Sequence, residues 1–167
     1  MSPQRYRVGI DCRLAGHRHA GIGRYTAQLV QELIANPGPL DFVCCFSDQD
    51  QVAEVLGNQR VGTHQKSGVE VIISTAGHYS FAEQWQLPAQ LQAAKLDLLH
   101  VPHFNVPWLY RGKLIVTIHD LLWHEYRGAA VTTLPAWQYW PKYLIYRLTV
   151  DRAVAAAQRL IVPTRTV

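Results

Sequence analysis

The segment Arg7-Val8-Gly9-Ile10-Asp11 and the motif Gly21-Ile22-Gly23-Arg24-Tyr25 that follows it decide the fold of this chain. The first run is short and apolar, which is typical of a strand, and the second opens an amphipathic helical pattern over residues 22–35. Two glycines allow a sharp turn, and the positive end of a helix attracts anions, so the motif is suited to cradle a diphosphate. The same pattern also serves close helix–sheet packing without a ligand, and the motif alone does not decide between the two.

The spacing of the glycines argues against an NAD-binding site. A dinucleotide fingerprint puts its first glycine directly after the strand and its third glycine three residues beyond the second. Here residues 12–20 intervene, and Thr26 occupies the third position. The intervening residues include Arg13 and the basic run His17-Arg18-His19, which predict a mobile loop that reaches over a cleft.

Composition indicates one globular domain over residues 1–167. With 49% hydrophobic and 17% charged residues, the chain can bury one core but is too short for two ordinary domains. The net charge of +4 favours anionic partners, but the Lys and Arg residues are scattered and form no recognisable nucleic-acid module. We therefore expect no nucleic-acid partner, whereas phosphate-bearing small molecules and lipid headgroups both fit.

The cysteines and the lack of long apolar runs point to a cytoplasmic protein. Cys44 and Cys45 are adjacent within an apolar run, where they would point to opposite faces of a strand, and Cys12 makes the number odd. This pattern favours buried, reduced thiols. No segment has the length of a secretory signal or a membrane span, so the sequence predicts a soluble or surface-attached chain.

Short β-rich runs alternate with helical patterns along the chain. Strands are predicted at residues 7–11, 42–46, 69–73, 98–101, 114–118 and 160–162, and helices at residues 22–35, 50–56, 81–95 and 133–157. This alternation predicts an α/β fold, a Rossmann-like parallel sheet with helices on both faces. Ligands of such sheets lie at the carboxyl ends of the strands, where the glycine motif, residues 100–107 and His119 would gather.

His119 is the best catalytic candidate. It directly follows the strand at residues 114–118 and has Asp120 beside it. An imidazole at a strand end can hydrogen-bond a sugar hydroxyl or a phosphate, and it can also transfer a proton. Alternatively, His119 satisfies backbone groups at the strand end while Asp120 caps the next turn.

His100 and His103 resemble a metal pair only superficially. No cysteine pair or His-Glu helical motif accompanies them, so the sequence predicts no metal site. The prolines around them indicate a shaped loop instead. We expect this loop to line a cleft, with His103, Phe104 and Asn105 facing a substrate.

An aromatic stretch with interleaved basic residues precedes the last predicted strand. Its members are Trp123, Arg127, Trp137, Tyr139, Trp140, Lys142, Tyr143, Tyr146 and Arg147. Aromatic rings with polar tips suit sugars and membrane interfaces. However, Trp137, Trp140 and Leu144 have helical spacing, which favours packing in the core. No nucleophile elbow or Walker-type loop is present, which disfavours hydrolases of those kinds.

Five segments in order resemble the N-terminal half of the group 1 glycosyltransferases, which are retaining GT-B enzymes. The segments are residues 8–13 (VGIDCR), 21–25 (GIGRY), 83–88 (EQWQLP), 98–102 (LLHVP) and 116–121 (VTIHDL). The resemblance covers almost the whole chain, and GIGRY and TIHD are its most specific parts.

The resemblance implies two Rossmann-like halves that face a cleft, in an enzyme that transfers a sugar from a nucleotide-diphosphate donor without a bound metal or other cofactor. Residues 1–167 would be the N-terminal, acceptor-side domain. The C-terminal domain, which binds the nucleotide with paired glutamates, would be missing, so the fragment alone is expected to be inactive. The acceptor would be a glycan or a lipid-linked molecule of polysaccharide biosynthesis, at the inner face of a membrane.

The resemblance also implies roles for individual residues. Gly21, Ile22, Gly23 and Arg24 would lie against the donor diphosphate, and His119 would contact the transferred sugar. Glu83, His103, Phe104, Asn105 and Asp120 would lie on the acceptor side. Two other functions stay open, namely a noncatalytic module that binds a glycan or a phosphate compound and, less favoured, a dinucleotide-binding domain.

Overall fold

The computed structural model describes residues 4–57, 69–77, 80–125 and 132–164, which form a parallel β-sheet between two layers of helices. The strands are β1 (Tyr6–Asp11), β2 (Leu40–Phe46), β3 (Glu70–Ile73), β4 (Leu98–Val101), β5 (Leu114–Thr117) and β6 (Arg159–Ile161). The helices are α1 (Ala20–Ala35), α2 (Gln49–Leu56), α3 (Phe81–Ala93), α4 (Leu122–Glu125) and α5 (Ala136–Ala156), and a 3₁₀ turn at His17–His19 precedes α1.

The strands lie in the order β3-β2-β1-β4-β5-β6, and each neighbouring pair is parallel. The chain starts at the centre with β1, moves outward to β3, and then crosses back to place β4 on the other side of β1. This is the strand order of a Rossmann-like α/β fold, so the predicted fold class is confirmed. The direction of winding switches between β1 and β4, where the loops after the two strands diverge and leave a crevice.

The observed starts of two helices differ from those predicted from the apolar periodicity of the sequence. Each predicted strand is present within two residues of its expected bounds, but α1 begins at Ala20 rather than residue 22. Ala20 and Gly21 are exposed, so they add nothing to the apolar pattern that marks the helix. Helix α5 begins at Ala136 rather than residue 133, because Pro135 holds the preceding backbone in an extended conformation.

Each face of the sheet has its own core. On one face, α1 and α2 cover β1 and β2 with side chains that include Val30, Val52, Ile10 and Phe42. On the other face, α3 and α5 cover β4 and β5 with side chains that include Leu87, Leu91, Leu99, Val116 and Ala153. The two layers leave the carboxyl ends of the strands uncovered, which is where the loops after the strands meet.

The cysteines confirm the alternation of faces along β2. Cys44 belongs to the core under α1 and α2 together with Cys12, whereas Cys45 belongs to the opposite core. All three are buried and none of them forms a disulfide, as expected. Burial raises the pKa of the Cys12 and Cys45 thiols well above the ordinary value, so both stay protonated.

Helix α5 departs from the predicted core pattern. Tyr139, Tyr143 and Ala153 form its buried side. Trp137, Trp140 and Leu144, which the spacing assigned to the core, are instead exposed. That assignment is wrong because α5 is apolar on both sides, so the spacing of one apolar stripe does not tell which stripe faces the sheet. The side chain of Trp123 and all of Arg127 lie outside the described residues.

A close backbone approach explains one glycine of the motif. A Cβ atom on Gly23 would lie 2.0 Å from the carbonyl oxygen of Gly16 and 2.9 Å from that of Leu14. The Gly16 N–H also donates a hydrogen bond of 3.0 Å to the Gly23 carbonyl oxygen. Helix α1 therefore packs directly on the loop that precedes it. At Gly21, by contrast, an added Cβ would meet nothing within 4 Å.

The two glycines should respond differently to the same substitution. Gly23→Ala is expected to lower the free energy of unfolding by about 2 kcal/mol, because a methyl group would press against backbone that cannot move aside. Gly21→Ala is expected to be neutral or to add up to about 0.5 kcal/mol, because alanine is the better helix former. Urea unfolding of both variants measures the difference, and equal effects would contradict the close approach at Gly23.

Candidate functional site

A small cleft opens at the switch point between β1 and β4. It is narrow, with a cavity volume of about 10 Å³, which is room for about one water molecule. Its lining comes from the end of β1, the loop after it, α1 and the loop after β4: Asp11, Leu14, Thr26, Val101, Pro102, His103 and Asn105. This is the place where ligands bind in open α/β sheets.

A buried ionic network supports the floor of this cleft. The Arg13 guanidinium donates from Nε to Asp11 Oδ1 over 2.9 Å and from Nη2 to Asp11 Oδ2 over 2.7 Å. The same Nη2 donates to Glu83 Oε1 over 2.8 Å. The side chains of Arg13 and Glu83 are fully buried, and that of Asp11 is 7% exposed. Burial acts to lower the pKa of Arg13, but the two carboxylates outweigh burial and raise it, so the guanidinium stays charged.

The loop after β1, predicted to be mobile, is instead held in place around Arg13. Cys12, Arg13 and Ala15 are buried, and Gln51 Nε2 donates hydrogen bonds to the carbonyl oxygens of Arg13 and Ala15. The loop after β1 is therefore fixed to the protein over its first half. Only the His17–His19 turn is exposed.

Glu83 and Asn105, both expected on the acceptor side, meet in the structure. The Asn105 amide donates from Nδ2 to Glu83 Oε1 over 3.1 Å. Asn105 lines the cleft, whereas Glu83 is fully buried at the start of α3. Glu83 therefore lies behind the wall of the cleft, where it holds Asn105 and Arg13 in place.

His119 lies between the loop after β4 and helix α1. Its Nε2 is 3.1 Å from the carbonyl oxygen of Pro102, which can only accept, so Nε2 carries a hydrogen. The ring of Tyr25 packs edge-on against the His119 ring, with 4.8 Å between the ring centres. The structure thus joins the last residue of the glycine motif to the histidine that follows β5. Asp120 beside it is exposed.

The loop after β4 is shaped by its own contacts. His103 Nδ1 accepts a hydrogen bond of 3.2 Å from the Asn105 backbone N–H. His103 and Asn105 line the cleft. Phe104 instead stacks on the His103 ring at 3.9 Å and packs edge-on against Tyr146 of α5 at 5.3 Å. Phe104 therefore connects the loop to the helix layer.

The residues of the glycine motif lie in different environments. Gly23 is buried against the preceding loop, and Gly21 is exposed in the first turn of α1. No side chain caps the N-terminus of this helix. Arg24 lines a second, more open groove of about 240 Å³ between α1 and α2, which also contains His17 and Glu54. Ile22 is half-buried.

His100 contacts the strand next to its own. Its Nε2 lies 2.9 Å from the hydroxyl oxygen of Thr117 on the neighbouring strand. Burial, with a smaller contribution from His119, lowers the pKa of His100 from 6.5 to about 4, so the ring is neutral at physiological pH. Within the described ranges, no group of three or more His, Cys, Asp and Glu side chains is arranged to hold a metal ion.

Among the polar residues at the cleft, sequence reasoning missed Asp11 and Thr26, which line it, and Arg13, which supports its floor. A signal was present for two of them, since Asp11 and Arg13 are the charged residues in an otherwise apolar run at the end of β1. Glu83, the carboxylate of α3 that pairs with Arg13, is 70 residues from it along the chain. No local pattern could therefore have revealed the network.

Removing the guanidinium should affect stability far more at Arg13 than at the surface. Arg13→Met would leave two buried carboxylates uncompensated, and we expect a loss of about 3–5 kcal/mol in the free energy of unfolding. The control is Arg5→Met, because Arg5 pairs with Asp41 over 2.8 Å at an exposed site, where such pairs contribute about 0–1 kcal/mol. Chemical denaturation compares the two, and similar small losses would refute the role of the network.

His100 should make the protein sensitive to acid. Its pKa is lower in the folded state, so between pH 6.5 and 4 the unfolded chain binds more protons and stability falls as the pH falls. Relative to His100→Gln, wild type should lose about 2 kcal/mol between pH 7 and pH 5. His19→Gln alters an exposed histidine and should follow wild type. Parallel stability curves for wild type and His100→Gln would contradict this assignment.

Comparison with known proteins identifies the family. The described part of the chain contains no helix both long enough and apolar enough to cross a membrane. A search of curated proteins gives no significant match. The family model of Glycosyltransferase Family 4 matches residues 19–167, which is most of the chain and includes the glycine motif, the cleft loop and His119. The resemblance to the N-terminal domain of the group 1 glycosyltransferases is thus confirmed, and the chain belongs to Glycosyltransferase Family 4.

Proposed function

We propose that this chain is the acceptor-side domain of a retaining glycosyltransferase that transfers a hexosyl group from a nucleotide-diphosphate sugar to a glycan or a lipid-linked acceptor. The contact between Tyr25 and His119 is the observation that carries the proposal. It brings the glycine motif next to a histidine at the carboxyl edge of the sheet. A diphosphate at the motif would therefore lie near a group that can hydrogen-bond the transferred sugar.

The start of α1 has the features of a diphosphate site. Gly21 has open space where a side chain would be, so a ligand can approach the backbone there. The first N–H groups of a helix have no partner within the helix, and they carry partial positive charge. We assign Gly21 and Ile22 to contact the diphosphate through the backbone, Arg24 to add positive charge, and Gly23 to hold the loop in place. This arrangement would stabilise the negative charge that develops on the leaving group.

His119 is assigned to orient the transferred sugar. Its ring is held by the Pro102 carbonyl oxygen on one side and by Tyr25 on another. A side chain fixed in this way can form a directed hydrogen bond without losing much conformational entropy. The role of His119 is therefore one of positioning and charge stabilisation at the reaction centre.

The cleft at the switch point is assigned to the acceptor. Asp11, His103 and Asn105 present carboxylate, imidazole and amide groups there, which suit the hydroxyl groups of a sugar. Asp120 lies just beyond His119 and would extend this side of the site. Glu83 acts indirectly, because it fixes the amide of Asn105.

The proposal requires a second domain for the nucleotide. In it, residues 1–167 supply the acceptor side, and a C-terminal domain of the same protein supplies the nucleotide pocket, so this domain alone would not catalyse transfer. The nucleotide sugar is a substrate, and the proposed reaction uses no resident metal or cofactor. A lipid-linked acceptor would place the protein at the cytoplasmic surface of a membrane.

The test uses the complete protein and a panel of nucleotide sugars. His119→Ala should lower kcat by about 10²-fold or more, because a positioned hydrogen-bonding group at the reaction centre is lost. Gly21→Val should weaken donor binding and raise the KM for the nucleotide sugar, because its side chain would occupy the proposed diphosphate position. Gly21 is preferable to Gly23 for this purpose, since the open space around it leaves the fold intact.

Tyr6→Ala serves as the control, because it removes an exposed aromatic ring at the amino end of β1, at the edge of the sheet opposite the proposed site. It should leave transfer unchanged. Full transfer activity in both His119→Ala and Gly21→Val would refute the site. Absence of transfer by wild type with all donors, together with saturable binding of a glycan, would favour the noncatalytic module.

A further inference from the structure

The backbone is strained where helix α1 begins. Ala20 has a φ of 42° and a ψ of −124°, a region that glycine occupies readily but that other residues avoid, because their Cβ atom meets backbone atoms. Such a conformation costs free energy and persists only where surrounding contacts hold it. Ala20 directly precedes Gly21, the glycine with open space that we assign to the donor diphosphate. The contacts that hold Ala20 therefore bear on that assignment.

Glu54 of α2 holds the 3₁₀ turn before α1. Its Oε1 accepts a hydrogen bond of 2.6 Å from the His17 backbone N–H and also contacts His17 Nδ1. The contact with the His17 side chain keeps the pKa of Glu54 below its usual range, so the carboxylate is charged at neutral pH. A second carboxylate, that of Asp48 at the start of α2, accepts from Arg18 Nη1 over 2.7 Å. The turn is therefore attached to α2 at two points.

The backbone of Gly16 makes room for the Glu54 carboxylate. Gly16 has a φ of 95°, which glycine alone adopts readily, and a Cβ atom there would lie 2.7 Å from Glu54 Cδ. The Gly16 N–H donates to the Gly23 carbonyl oxygen. Gln51 Nε2 donates to the carbonyl oxygen of Ala15 over 2.7 Å. The carboxylate thus packs against a stretch of loop whose own position is fixed.

Ala20 lies between two fixed points of the chain. On one side, Glu54 holds His17. On the other side, Gly23 packs directly against the backbone of Gly16. The few residues between these points must complete the connection, and Ala20 takes the positive φ that the connection requires. Release of His17 would lengthen the free segment and let Ala20 relax to a negative φ.

We propose that Glu54 is a positioning residue of the donor site. By holding His17, it keeps Ala20 in the strained conformation, and this conformation sets the direction of the backbone N–H groups that follow in the first turn of α1. Glu54 does not touch the donor itself. This inference rests on the proposed function, since the ligand that the positioned turn receives is the donor diphosphate.

The sign of the effect separates this role from that of a simple charge. Glu54 lines the same groove as Arg24, which we assign to the diphosphate. A carboxylate repels a diphosphate, so loss of its charge alone would strengthen donor binding. Loss of its hold on His17 would instead weaken donor binding, because the donor would then have to restore the strained conformation of Ala20.

The kinetics of the complete protein test the proposal, with the nucleotide sugar from the panel that gives the fastest transfer. Glu54→Ala should raise the KM for that donor about tenfold and change kcat less than about twofold. Glu54→Gln should recover most of the loss, because its amide oxygen can accept from the same His17 N–H. Asp41→Ala is the matched control, since it removes a carboxylate from an exposed ion pair at the amino end of β2, and it should leave the KM unchanged.

A second substitution tests the part played by Ala20. Glycine adopts a positive φ without strain, so Ala20→Gly in the Glu54→Ala background should return the KM to within about threefold of wild type. If Glu54 only supported the fold in general, the second substitution would not restore donor binding. An unchanged or lowered KM in Glu54→Ala, or a double variant no better than Glu54→Ala alone, would overturn the proposal.

NMR spectroscopy of the 167-residue chain checks the conformation without any donor. The backbone coupling constants of Ala20 should indicate a positive φ in wild type and in Glu54→Gln, and a negative φ in Glu54→Ala. The His17 amide proton should exchange at least about tenfold faster in Glu54→Ala than in wild type, because its acceptor is lost. A positive φ at Ala20 in all three proteins would contradict the role of Glu54.

Failure of this inference can be told apart from failure of the proposed function. If His119→Ala and Gly21→Val lower transfer as expected but Glu54→Ala leaves the KM unchanged, only the positioning role is wrong. If Glu54→Ala changes φ at Ala20 but wild type transfers sugar from no donor, the transferase function is wrong. The donor role of Glu54 is then wrong with it, whereas its hold on the turn stands.

Discussion

The ionic contact between Arg13, Asp11 and Glu83 is the constraint on which the carboxyl edge of this domain depends. The strands of a parallel sheet are bonded along their length, but the loops that follow them are not bonded by the sheet. Arg13 joins the end of β1 to the start of α3, and Glu83 extends the connection to Asn105 after β4. Three segments that are distant in sequence are thereby fixed around one cleft.

The energetics of this network explain why it acts as a unit. Each of the three charges has lost its water, and a single unpaired charge in such a place would be strongly unfavourable. Two carboxylates against one guanidinium leave a net negative charge, which the Asn105 amide offsets by donating to Glu83. The network adds little stability over an apolar core of the same volume, but it specifies one arrangement of the loops. A site for sugar hydroxyls requires that kind of precision.

The fold could be predicted from the sequence because its signals are local. Strands such as Leu98–Val101 are short apolar runs, and the alternation with helices leaves few topologies. His119 follows such a run as well, so its position just after β5 was predictable. The sequence did not reveal the partner of Arg13, since a charged residue in a loop is ordinarily solvated and Glu83 is far along the chain.

The glycine motif and α5 show a second limit of sequence reasoning. For Gly-x-Gly, the alternatives were a diphosphate cradle and close packing, and the structure shows close packing at Gly23, which has no room for a side chain. Gly21 has ample room, which is what the proposed cradle requires. For α5, the spacing of Trp137 and Trp140 predicts an apolar stripe along a helix. The spacing does not indicate whether that stripe faces the sheet or the surface. Both ambiguities concern surroundings, which only the assembled tertiary structure supplies.

The aromatic contacts give a physical route between the helix layer and the cleft. Phe104 packs between His103 and Tyr146, and the Tyr146 hydroxyl is 2.8 Å from Nδ1 of His124, just beyond His119 and Asp120. Helix α5 thus contacts both loops that border the candidate site. A shift of α5 would therefore reach these loops through packed rings rather than through the sheet.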